Sequence, residues 1–202
     1  GQVSAGVELF AVNADIARRR NWTNFASVLR WARANPAAVK AASAGTGSIG
    51  HLLVAATWRL SGAEITHVPY RGAASALHDL LGGIVDMMVD APATLTPQAG
   101  AGADARLRVL AVSSAEEFPL LPGVPGMRAF REFGLAGLDV TNWNAVMAPP
   151  NTPPDQVAVV HAALGAVLQE EGFAARFRQA GQLPVASASP AATQAGSASS
   201  VA

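Results

Sequence analysis

Residues 40–62 read KAASAGTGSIGHLLVAATWRLSG, with Gly45, Gly47 and Gly50 in the order G-x-G-x-x-G ahead of an apolar helical pattern. Glycines at this spacing let backbone N–H groups approach a ligand, and a helix starting there adds partial positive charge. The chemistry on offer is therefore capture of an anion. A dinucleotide is one candidate, because Glu64 lies about 20 residues on. That acid, however, opens the next strand, and the residues at the strand's end are Tyr70 and Arg71. An arginine there suits a 2′-phosphate, so an NADP-binding oxidoreductase domain stands as the alternative. A serine nucleophile is a weaker fit. TGSIG around Ser48 misses G-x-S-x-G at Thr46, and His51 one turn on, with Asp86 or Asp90, does not copy the hydrolase arrangement. A small carboxylate asks least, needing only helix-start amides, the Thr46 or Ser48 hydroxyl, and a second donor from Tyr70 or Arg71.

A loop of this kind needs a strand before it and a helix after it, and the pattern repeats. VKAASAG is a short strand; Ile49, Leu52, Leu53, Ala56 and Leu60 then form the apolar stripe of a helix over 49–60, closed by Gly62. ITHVPY, RGAAS and ALHDLL make a second strand, turn and helix, ended by Gly82 and Gly83. IVDMMVD, APA and the poor helix TLTPQAGAG make a third, and LRVLAVSS adds a buried strand. Upstream, VELFAVN reads as a strand, and Asn24 caps a helix through Phe25, Val28, Leu29 and Ala32 that Asn35-Pro36 stops. These units predict an α/β fold with a parallel sheet, whose turns converge at one edge. Trp22, Trp31 and Trp58 are expected in the core.

After Ser114 the proline- and glycine-rich AEEFPLLPGVPGM reads as a connection, and LDVTNWNAVMAPP as a strand-like return. Thr152-Pro153-Pro154-Asp155 has the form of a capping box ahead of a helix burying Val157, Val160, Leu164, Val167 and Leu168. LPVAS suits a last strand, and the small, polar residues 187–202 are expected to be disordered.

Lys and Arg (14) balance Asp and Glu (14), and the one basic cluster, Arg18-Arg19-Arg20, reads as a solvated turn, so no nucleic-acid partner is expected. The absence of cysteine removes disulfide and thiolate chemistry. His51, His67, His78 and His161 lack metal-ligand spacing, so neither metal nor cofactor is expected. No apolar run approaches the roughly 20 residues needed to span a bilayer. No signal peptide is expected in this chain, since Gly1 opens on sequence of folded character. Asp86 reads as a turn brace, Glu64 and His67 as strand-face residues, and Asp90 sits at a strand's carboxyl end, where function concentrates.

SAGTGSIGH, HVPYRGAASALHDLLGGIVDMMVD, LRVLAVSSAEEFPLLPGVP and NWNAVMAPPNTPPD together resemble the tripartite tricarboxylate transporter substrate-binding proteins, the TctC or Bug family of periplasmic receptors. The resemblance implies a type II periplasmic-binding-protein fold holding a carboxylated solute between two domains, with no bond-making chemistry. It assigns Ala44, Gly45, Thr46, Gly47 and Ser48 to a carboxylate cradle. Tyr70, Arg71, Gly72 and Ala73 match the second binding turn, Asp90, Ala91 and Pro92 the third, and Trp143 an aromatic on the returning strand. Implied partners are a small carboxylate and membrane transporter subunits, and the implied location is periplasmic. On this likeness residues 15–114 form a complete ligand-binding domain, 1–14 and 139–202 a remnant of the family's first domain, and 115–138 the connection. A remnant leaves apolar surface exposed, so a homodimer through it is expected, or else an association module without ligand.

Overall fold

The structure is a computed structural model that describes residues 1–100, 102 and 104–189. The chain divides into two compact units, one made of Gly1–Gly6 with the chain from Asn142 onwards, the other of Val7–Thr141. The strands are β1 (Gln2–Val7), β2 (Leu9–Asn13), β3 (Val39–Ser43), β4 (Ile65–Pro69), β5 (Met87–Asp90), β6 (Leu107–Val112), β7 (Thr141–Ala145) and β8 (Gln182–Pro184). The helices are α1 (Ala14–Arg19), α2 (Phe25–Ala34), α3 (Ile49–Ser61), α4 (Ala73–Leu81), α5 (Pro92–Leu95), α6 (Pro154–Gln169) and α7 (Glu171–Gln179). The α/β class expected from the sequence is found. The short β1 and α1 carry too few residues for a visible period and were not anticipated.

In the larger unit five strands form one sheet in the order β4-β3-β5-β2-β6. β3 pairs in parallel with β4 and with β5, whereas β2 runs antiparallel to both β5 and β6. The sheet is thus mixed, with one reversed strand at an interior position. All five residues of β2 are buried, as an interior strand covered on both faces requires. Its pairing with β5 and β6 places Val7–Asn13 in this unit rather than with the smaller one. The 115–138 segment also belongs to the larger unit, because Met127, Phe130 and Phe133 are buried in its core.

That core lies against one sheet face, where Phe10, Trp22, Phe25, Leu29, Leu53, Ile65 and Met87 meet. The ring of Phe25 packs 4.9 Å from that of Phe10 and 5.2 Å from that of Phe130. Asn24 caps α2 as expected: its side chain accepts from the Ser27 amide, and Ser27 answers with its own hydroxyl in a full capping box. Trp22 is buried and Trp31 half-buried, but Trp58 is 46% exposed, outside the core expected for it.

Helix α3 differs from its predicted stripe for the same reason. Its buried face is Gly50, Leu53, Val54, Thr57 and Ser61, while Ile49, Leu52, Trp58 and Leu60 are exposed. The cause is close approach. A β-carbon on Gly50 would lie 2.3 Å from the Val89 carbonyl oxygen, so only glycine lets the helix sit this near β5. The small residues therefore face the sheet and the larger apolar ones turn outward.

Arg20 also departs from the solvated turn expected of its triplet. It pairs with the buried Asp86 at 2.9 Å and lies over the rings of Trp22 and Trp31. Asp86 accepts the Lys40 amide at 2.7 Å as well, so it braces the fold.

The smaller unit carries a three-stranded sheet in the order β7-β1-β8, with β8 antiparallel to β1 and Ser4 opposite Pro184. Helix α6 buries only Leu168, and Val160 is 52% exposed, so the buried face expected there is not formed. The predicted capping box is also missing, because the Thr152 hydroxyl donates back to the Pro149 carbonyl. Residues 190–202 of the tail expected to be disordered lie outside the described residues. Among the described residues no single helix is long and apolar enough to cross a membrane.

Candidate functional site

Because β3, β4 and β5 are parallel, their carboxyl ends open at one edge of the sheet, and each leads directly into a turn and a helix. The first turn holds Ala44, Gly45, Thr46, Gly47 and Ser48. Gly45 and Gly47 adopt φ of 151° and 85°, conformations that side chains rarely take. Ser48 is the N-cap of α3, its hydroxyl accepting the His51 amide at 3.2 Å. Of the remaining amides, those of Thr46, Ile49 and Gly50 donate to no group among the described residues. Free N–H groups at the start of a 13-residue helix are what an anion requires.

The second turn adjoins the first. The Tyr70 amide donates to the Ser43 carbonyl at 3.1 Å, and a β-carbon on Gly45 would lie 3.3 Å from the Tyr70 carbonyl oxygen. Arg71 is exposed, Gly72 (φ 130°) is the N-cap position of α4, and Ala73 is its first residue. The Tyr70 hydroxyl is already engaged, donating to Asp79 Oδ2 at 2.7 Å. Burial, reinforced by that bond and the Asp79 charge, pushes the phenol up to about 12. In return the Tyr70 bond, aided by His78, holds the Asp79 carboxyl below its usual value.

At the third turn Asp90 Oδ1 accepts both the Ala91 amide and the Thr94 hydroxyl at 2.9 Å. Pro92 opens α5, which is one turn long. Trp143 lies on β7 in the other unit, 39% exposed.

Two residues at this edge did not stand out as neighbours in the sequence. His51, in the first turn of α3, stacks on His67 of β4 with ring centroids 4.2 Å apart. His67 Nε2 lies 2.8 Å from the Ser43 hydroxyl, which in turn bonds Gly45. The Gly47 amide donates to His51 Nδ1 at 3.0 Å. Burial, and then the His51 ring, hold His67 below its ordinary value of 6.5. The signal was available in principle: His67 stands two residues before a strand end that abuts the helix carrying His51.

These bonds also dispose of the hydrolase arrangement. Ser48 is a helix cap whose hydroxyl accepts the His51 amide, and the His51 ring bonds the Gly47 amide through Nδ1 instead of the Ser48 hydroxyl. Among the described residues no group of three His, Asp or Glu is placed to hold a metal ion.

Comparison with known proteins gives the site its context. A protein from the tcbD-tcbE intergenic region of Pseudomonas sp. is 36% identical over 154 residues, covering 76% of this chain but 44% of that protein. Rpa4515 of R. palustris, solved with adipate, superposes with a TM-score of 0.82 at 28% identity, over 96% of this chain and 62% of the other. The periplasmic binding protein BugD gives 0.79 at 29% identity, over 97% and 62%. This chain therefore spans about half to three-fifths of the length of these relatives. Residues 12–195 match the TctC family, described as the tripartite tricarboxylate transporter family receptor. The match extends well beyond the glycine loop to the whole order of strands and turns, and the chain belongs to that family.

Proposed function

We propose that this chain is the anion-binding part of a periplasmic solute receptor that takes a small carboxylate and hands it to a tripartite tricarboxylate-type transporter. The observation that carries the reading is the juxtaposition of two helix starts at one sheet edge. The free amides of Thr46, Ile49 and Gly50 lie beside a second turn that offers Arg71 and Gly72. Hydrogen bonds to a charged acceptor are roughly twice as strong as neutral ones, and fixed backbone dipoles need no reorganisation on binding. The adipate bound to Rpa4515 supports a dicarboxylate as the solute. Tyr70, Asp90, Ala91 and Pro92 join the site in this proposal as lining groups, Tyr70 through its backbone because its hydroxyl is held by Asp79. No step in this function makes or breaks a covalent bond.

A thermal-shift panel tests it, with adipate and other mono-, di- and tricarboxylates set against NAD and NADP. Ligand at a hundredfold excess over its dissociation constant stabilises the folded state by about 2.7 kcal/mol. A shift with dicarboxylates that disappears in Arg71→Ala is expected. A shift with NADP alone would restore the nucleotide-binding alternative.

The reading also includes a homodimer formed through the smaller unit. Its apolar hollow, lined by Gly1, Val146, Met147, Pro149, Val157 and Val160, is open, and Met147 and Val159 are 75% and 70% exposed. Apolar patches of this kind commonly mark association surfaces. Light scattering at micromolar concentration is expected to give twice the monomer mass, and a monodisperse monomer would refute the dimer.

A further inference from the structure

We propose that His51, positioned by His67, is a proton-operated gate on the carboxylate loop: protonating it frees the Gly47 N–H for the anion. The inference rests on the receptor reading above and adds to it a residue that controls the site.

The argument starts from the donor inventory of imidazole. A neutral ring offers one nitrogen as acceptor, whereas both nitrogens of an imidazolium ion are donors. The Gly47 amide donates to His51 Nδ1 at 3.0 Å, so this bond exists only while Nδ1 is unprotonated. In that state one of the loop's amides is spent within the protein. Once Nδ1 carries a proton the bond cannot persist, and two N–H groups face each other instead of a donor and an acceptor. The Gly47 amide and the new N–H then both turn to the nearest acceptor available, which is an anion in the loop. A positive charge is added at the same place.

His67 holds this arrangement in register. Its ring stacks on His51 at 4.2 Å with an interplanar angle of 30°, and its far nitrogen is fixed by the Ser43 hydroxyl at 2.8 Å. Ser43 is fully buried and also bonds the Gly45 amide and carbonyl, so the pair is coupled to the loop at both of its glycines.

Few other charges interfere. On β3 the only ionisable residue is Lys40, at the opposite end from the loop. On β4 it is His67 itself. On β5, Asp90 is committed to Ala91 and Thr94, and Asp86, just before that strand, is committed to Arg20. Arg59 lies in the last turn of α3, and the Leu135–Gly137 turn that packs on this helix carries no charge. In the adjoining turn Arg71 is exposed and Asp79 is tied to Tyr70 and His78. Two stacked imidazoles repel when both are charged, so one proton suffices to open the gate. Burial, and secondarily His51, already keep His67 in its neutral form to lower pH.

The experiment follows the Gly47 amide and the imidazole nitrogens of the whole chain by ¹H–¹⁵N NMR between roughly pH 6 and 8, the range in which histidine ordinarily changes charge. The same series is recorded for His51→Gln and His67→Gln, whose dispersed spectra report folding. Adipate is then titrated at each pH at constant ionic strength. The Gly47 resonance is expected to track His51 protonation in the native protein and to stand still in His51→Gln. Adipate affinity is expected to rise about tenfold as the pH falls through the same transition, the worth of one hydrogen bond to a charged group, and to be flat with pH in His51→Gln. In His67→Gln the Gly47 titration should survive at a shifted midpoint. A Gly47 amide indifferent to His51 protonation overturns the gate, as does an adipate affinity that keeps its pH dependence without His51. If Gly47 titrates as described but adipate binds at no pH, the receptor reading fails while the His51–Gly47 coupling stands.

Discussion

Tyr70 is the chain's only tyrosine, which makes its hydroxyl directly readable. Its phenolate absorbance should appear near pH 12 in the folded protein. Asp79→Asn removes the neighbouring charge and should bring the transition back toward the ordinary value of about 10. The sign of the linkage follows from the raised folded value: the stability this pair contributes is whole below about pH 10 and is lost as the pH rises through 10 toward 12. A transition already near 10 in the native protein would mean that neither the burial of the phenol nor its bond to Asp79 holds in solution. Gly50 offers a second check, through geometry instead of charge. A β-carbon there meets a backbone carbonyl at 2.3 Å, and backbone cannot swing aside as a side-chain tip can. Gly50→Ala should cost about 1–3 kcal/mol in urea unfolding, in spite of alanine's better helix propensity. The role of Gly50 was not readable beforehand. Its amide stays among the loop's free donors, and only the registry of α3 on β5 shows that its missing side chain also serves close packing.

Helix α3 also shows where a sequence pattern stops being informative. Its limits and its closing Gly62 were legible, because a left-handed C-cap sets its end, whereas Ser48, read as a hydroxyl donor to the ligand, caps the helix instead. The facing of the helix was not legible. Large apolar residues recur on two sides, and the choice between them is made by how near the sheet allows the axis to come. Leu52 and Leu53 separate the two facings. Leu53→Ala should cost about 2–5 kcal/mol as a buried deletion, and Leu52→Ala, at an exposed position, about 0.5 kcal/mol or less. Equal costs would mean that the helix is rotated from the position described. The turns were legible for a different reason. Parallel strands must end at one edge, so Gly45, Arg71 and Asp90 fell together by topology alone. Topology set the elements of His51 and His67 side by side, but the stack itself was not legible, because it depends on two side chains from different elements leaning toward one another.

The order of the strands governs how the whole chain is put together. Ser4 of β1 stands opposite Pro184 of β8, so a sheet of only three strands joins nearly the first residues of the chain to nearly the last described ones. Synthesis at about 5–20 residues per second separates their appearance by roughly ten to forty seconds, during which β1 has no β8 to pair with. The larger unit is not held to that schedule, since its five strands end at Val112 and its last buried core residue is Leu135. During translation the middle of the chain should therefore gain protection from protease while both ends remain cleavable. Stalled ribosome complexes released at increasing lengths would read this directly. A product resistant from its first residue before residues 182–184 emerge would mean that β1 finds another partner.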